Sequence, residues 1–124
     1  MAYQYNGYTP KQGDLIYLNF DPTVGREITK RRPALIMSST RFNEITGYIT
    51  ICPITSTIRN NPLFLTLHAK KLHGQINTIQ FRTVDFLSNN RDVEFVEKCA
   101  PIDFMKTAES ITNGFDFNSQ IDNL

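Results

Sequence analysis

Tryptophan is absent from the 124 residues, and cysteine occurs only twice, as Cys52 and Cys99. One cysteine lies in an apolar run, the other beside a proline, and they lack CxxC spacing. They read as buried free thiols of a reducing compartment rather than as a disulfide. Apolar runs stop at about four residues. The N-terminal MAYQYNGYTPKQGD has neither a basic nor an apolar stretch. This excludes a signal peptide and a membrane span, so a cytoplasmic location is expected. The HExxH, GxSxG and P-loop patterns are missing. The two histidines, His68 and His73, have no acid nearby in the chain. They make a poor metal pair, because zinc takes three or four ligands, and are expected as solvated loop residues. Residues 45–84 hold no acid at all, so the carboxylate cluster of a magnesium nuclease is excluded too. No metal and no cofactor is expected.

What is present is a chain of single-domain length. Such a length buries roughly two thirds of its unfolded surface, enough for a core without staples. Nine Phe and five Tyr, with many Ile and Leu, can supply that core. The net charge of +1 hides a partition. Between Ile28 and Val84 eight basic residues face one acid, Glu44; from Asp85 onward eight acids face three bases. A basic stretch on a balanced protein is the mark of an anion-binding surface.

Asp14–Phe20 reads as a strand, apolar on both faces, ended by Asp21-Pro22-Thr23-Val24-Gly25. GREITKRR, residues 25–32, is too charged for a buried strand and reads as a basic loop. Ala34–Met37 is the second strand, entered through Pro33. Tyr48–Cys52 is the third, after a turn at Thr46-Gly47, and Pro53 stops it. ITSTIRNNP, residues 54–62, is a second polar loop. Leu63–Leu67, a stretch around Gln75–Phe81 after Gly74, and Val93–Val96 complete the strands. Pro101 suits a first helical position, Phe104, Met105, Ala108 and Ile111 follow at helical spacing, and Asn113-Gly114 suits a C-cap. The polar tail, residues 115–124, is expected frayed or docked on a partner. Short strands closed by one terminal helix give a mainly β, small-barrel reading.

Metal-free chemistry on RNA needs little. The substrate carries its own nucleophile, the 2′-hydroxyl. The protein must supply in-line geometry, a proton acceptor, a donor to the leaving oxygen, and positive charge on the phosphorane. Arginine suits phosphate, being planar and permanently charged. The loops GREITKRRP and ITSTIRNN could provide such groups.

The same residues carry a resemblance. Gly13-Asp14-Leu15-Ile16, Phe20-Asp21-Pro22-Thr23-Val24-Gly25-Arg26-Glu27, Arg32-Pro33-Ala34-Leu35-Ile36, Pro53-Ile54-Thr55-Ser56 and Gln80-Phe81-Arg82-Thr83-Val84-Asp85 come in the order and spacing of MazF/PemK toxins. Ala100-Pro101 then opens the terminal helix, and the match covers about residues 13–113 of one domain, 1–124. The resemblance implies an SH3-like small β-barrel of the CcdB/PemK kind, with a C-terminal helix and short added helices. It implies a homodimer that cuts single-stranded messenger RNA at short sequences, leaving 2′,3′-cyclic phosphate and 5′-hydroxyl ends. A cognate antitoxin would neutralise it. Two departures stand out: Ile79 replaces an acid often found before the Gln, and the tail after Gly114 is long.

By the same resemblance the catalytic Arg falls on Arg32, the catalytic Thr on Thr55, and a Glu implicated in proton transfer on Glu27. Arg32 should stabilise phosphorane charge, since a guanidinium is a poor proton shuttle. Thr55 should donate to the scissile phosphate. Arg26, Lys30, Arg31, Arg59 and Arg82 are expected to position phosphates, with Ser56 and Gln80 also on the RNA. Phe42 and Tyr48 could stack on bases, but are expected in the core. Two rivals are a CcdB-like gyrase poison, which acts through terminal helix residues, and a non-catalytic SH3-like adaptor, which expects an aromatic groove. The Arg-Pro and Thr blocks argue against the first, the basic loops against the second.

Overall fold

The computed structural model describes residues 1–20 and 31–124. Seven strands, β1 (Asp14–Asn19), β2 (Arg31–Ile36), β3 (Tyr48–Thr55), β4 (Phe64–Thr66), β5 (Gln75–Asn77), β6 (Arg82–Asp85) and β7 (Glu94–Lys98), form one antiparallel sheet. Helix α1 (Thr40–Thr46) precedes β3, and α2 (Pro101–Phe115) and α3 (Phe117–Ile121) end the chain. The spatial order is β4-β5-β3-β2-β1-β7, with β6 also on β3. Among the described residues β4 and β7 do not meet, so the barrel is open between them.

Strands apolar on both faces need two cores, and two are present. Ile16, Leu18, Ala34, Ile36, Ile49 and Ile51 turn to one, with Val84 and Phe86. Leu15, Leu35, Cys52 and Ile54 turn to the other, beneath Phe104 and Ile111 of α2. Alternation with period two assigns each residue its side. Burying these side chains, at about 25 cal/mol per Å² of apolar surface, is what holds both cores together.

Several boundaries differ from the sequence reading. Arg31 and Arg32 belong to β2, not to a loop: they pair with Asn19 and Leu18 of β1. Pro53 does not stop β3, which runs on to Thr55. β3 pairs with β6 as far as Ile51 and with β5 from Ile54, so Pro53 falls in the gap between those partners, where its missing N–H costs no ladder bond. The stretch from Gln75 to Phe81 is not one strand. Asn77 Oδ1 accepts the N–H groups of Ile79 and Gln80, at 3.0 and 3.1 Å, and turns the chain between β5 and β6.

Helix α1 has the marks of a short capped helix. Ser39 accepts the Phe42 N–H, and Gly47 follows in the left-handed region at φ 74°. Phe42 and Tyr48 are exposed here, not in the core. Helix α2 starts at Pro101 as expected but runs through Gly114, and Asp116 takes the left-handed position at φ 51°. The tail is helical in α3, with no buried residue. Among the described residues no helix is long and apolar enough to cross a membrane.

Candidate active site

Antiparallel pairing of β2 with β3 brings the two key residues together. Ala34 pairs with Pro53. Beyond that pair, Arg32 continues β2 and Thr55 ends β3 on the same side of the sheet's register. Both line one cleft of about 640 Å³, with Phe20, Ile54, Arg59, Phe64, Asn77 and Gln80 on its walls. The Arg32 side chain is exposed and enters no ion pair with a described residue. Thr55 is half-buried, and its hydroxyl oxygen accepts the Thr57 N–H at 3.1 Å. Accepting does not use the hydroxyl proton, so Thr55 can still donate.

Close backbone contact fixes Thr55. Gly74 sits at φ +133°, and a Cβ there would stand 2.2 Å from the Thr55 carbonyl oxygen. The loop carrying Gly74 is held by two carboxylates. Asp103, buried in the first turn of α2, accepts the His68 N–H at 2.7 Å, and its other oxygen lies 2.9 Å from His68 Nδ1. The loop histidine expected without an acid therefore has one, from α2, far along the chain. Glu97 of β7 accepts the N–H groups of Lys70, Lys71 and Leu72. Desolvation pulls the Glu97 carboxyl up. The N–H bonds from Lys71, Leu72 and Lys70, with the Lys71 charge, outweigh it and hold the group below its ordinary value.

The other candidates separate. Arg59 reaches the cleft from a loop whose backbone is clamped by Gln75: Arg59 N–H donates to Gln75 Oε1 at 2.9 Å, and Gln75 Nε2 donates to the Arg59 carbonyl at 3.2 Å. Its guanidinium lies over Phe64, 5.6 Å from the ring centre. Gln80 Oε1 accepts from Asn77 Nδ2 at 2.8 Å. Arg82 lies over Phe20, at 6.0 Å. Ser56 and Arg32 line a second cleft of about 340 Å³, with Arg31, Pro33, Ile54 and His73. Arg31 is committed to acids: it pairs with Asp92 at 3.1 Å and Glu94 at 2.6 Å, above Tyr17. Arg26, Glu27 and Lys30 lie outside the described residues.

Sequence reasoning missed Gln75, Asn77, Phe20 and His73 as site residues. Gln75 announces itself only through bonds to Arg59, brought near by the fold, and Asn77 through the local turn it makes with Ile79 and Gln80. The cysteines stand apart from this chemistry. Burial pushes the Cys52 thiol up to about 12. Burial, with the Asp103 charge, lifts Cys99 to about 11. Among the described residues no three His, Cys, Asp or Glu side chains gather as a metal set.

Known proteins resemble this chain in sequence and in fold. The profile of the PemK-like, MazF-like toxins of type II toxin-antitoxin systems matches residues 11–114. The endoribonuclease toxin MazF of Escherichia coli K12 is 34% identical over 80 residues, spanning 60% of this chain and 72% of that protein. The crystal structure of MazE-MazF (Form-II) from Deinococcus radiodurans superposes with a TM-score of 0.76 at 30% identity, covering 86% of this chain and 95% of that one. A mycobacterial endoribonuclease in complex with its cognate antitoxin, at 18% identity and a TM-score of 0.64, shares the fold over 85% of this chain and 91% of its own. The chain belongs to the PemK-like, MazF-like toxin family of type II toxin-antitoxin systems.

Proposed function

We propose that this toxin is an endoribonuclease that cuts single-stranded messenger RNA by attack of a 2′-hydroxyl on the adjacent phosphate, without a metal ion. The products are a 2′,3′-cyclic phosphate and a 5′-hydroxyl end. The observation that carries this reading is the meeting of Arg32 and Thr55 on one cleft. Arg32 offers a bidentate, fixed positive charge to the phosphorane, and Thr55 a hydrogen bond to a non-bridging oxygen. Arg59 and Arg82, with Arg26 and Lys30, hold flanking phosphates. Phe20 and Phe64 give aromatic faces in the same cleft.

The partners follow from the family. A cognate antitoxin, acidic and partly disordered, would fold over the basic groove and close it to RNA. The active form is a homodimer, working in the cytoplasm. Purified protein, a long single-stranded transcript and excess EDTA test the reading. Cleavage should persist in EDTA and leave 5′-hydroxyl ends. Arg32→Ala should slow it by roughly 10²–10³-fold with an unchanged thermal melt. An intact transcript would return the protein to the gyrase-poison or adaptor readings.

A further inference from the structure

In-line cleavage needs a group that accepts the 2′-hydroxyl proton. Arg32 cannot serve, because a guanidinium has five N–H donors and no acceptor. The two clefts that share Arg32 and Ile54 are walled, among the described residues, by arginines, hydroxyls, amides and apolar side chains, with one imidazole, His73. Neither wall includes a described carboxylate. We propose that, in the RNA cleavage set out above, on which this reading rests, His73 is the catalytic residue that takes the proton from the attacking 2′-hydroxyl.

The fold sets the ring on a cleft that Arg32 also lines. On one side of His73, Leu72 is buried in the second core and its N–H is held by Glu97. On the other, Gly74 packs against the Thr55 backbone, and its carbonyl accepts the Leu67 N–H at 3.0 Å. Both neighbours are anchored, while the His73 side chain stays exposed, at the cleft with Arg32 and Ser56. Among the described residues, Arg31 and Arg32 from β2 share its cleft, Lys71 lies two residues back in its own loop, and Glu97 of β7 binds the backbone of that loop. A neutral imidazole also has an unprotonated ring nitrogen that can accept a proton, as a general base must. In the step, the O2′–P bond forms while the P–O5′ bond breaks. The 2′ proton passes to the imidazole, and the leaving O5′ takes a proton from water.

The test measures cleavage of a long single-stranded transcript by the full-length chain from about pH 5 to pH 9. Wild-type protein should speed up as pH rises through the acidic side. His73→Ala and His73→Asn should each lose roughly 10²-fold in rate, flatten that rise, and keep the wild-type melt. Imidazole added to the buffer should restore activity to H73A but not to R32A. Binding to a 2′-O-methyl RNA should stay within about twofold of wild type. Histidine variants that cut at the wild-type rate with an unaltered pH profile would overturn the assignment. So would a rise lost in Glu27→Gln and kept in H73A, which would place the base on Glu27. Wild-type protein that leaves RNA intact would overturn the cleavage reading as well; wild type that cuts beside unaffected histidine variants overturns only His73.

Discussion

Gly74 illustrates how one backbone position can govern a site it never touches with a side chain. Its φ of +133° is closed to most L-residues, and its would-be Cβ meets the carbonyl of Thr55 at 2.2 Å. Gly74→Ala must therefore push two backbones apart. It should destabilise the fold by on the order of 1–3 kcal/mol and slow cleavage more than the melt alone explains, because Thr55 moves with the clash. Thermal unfolding beside a cleavage assay checks both. The sequence marks Gly74 only as a break before a strand; its role depends on a contact with residue 55 that no local pattern encodes. Arg31 and Arg32 make the complementary case. They are neighbours of one type in one stretch, yet Arg31 is held by Asp92 and Glu94 while Arg32 faces the cleft. Alternation along β2 separates them, and that is legible only once residues 31–36 are known to be a strand.

The strands with strong β-branched and aromatic character, β1 and the start of β3, were legible because composition and burial agree there. The ends were not. Charge argued against extending β2 back to Arg31, but acids from β7 and the turn before it neutralise that guanidinium across the sheet. Proline argued against extending β3 to Thr55, but the partner change at Pro53 removes the objection. The loop before Gly74 is likewise fixed from afar, by Glu97. Its carboxyl is held below the ordinary 4.5, so its contribution is full above that pH and is lost as pH falls through the lower folded value. Amide-exchange protection at Lys70, Lys71 and Leu72 should thus weaken below about pH 4.5, and Glu97→Ala should remove it at neutral pH. Protection in E97A equal to wild type would mean the loop holds itself.

Taken together, the molecule places basic residues of its first two thirds around a cleft and spends part of its acidic last third on other tasks. Asp92 and Glu94 anchor Arg31, Glu97 caps a loop, and Asp103 holds His68. The near-zero net charge therefore coexists with a basic groove. RNA binding should weaken with salt: about five phosphate contacts, from Arg32, Arg59, Arg82, Arg26 and Lys30, give a log–log slope of roughly −3.5 for a single strand. A flat salt response, measured on a 2′-O-methyl RNA, would point to an adaptor instead. The joint action of one guanidinium and one hydroxyl on a single phosphate is tested most directly by cleavage rates, with mapped product ends, for R32A, T55A and the double variant. Wild type should give 2′,3′-cyclic phosphate and 5′-hydroxyl ends. Each single variant should lose most of the rate, and the double variant should lose little more than the worse of the two, as groups acting as a unit do. An R32A protein that cuts as fast as wild type would contradict it.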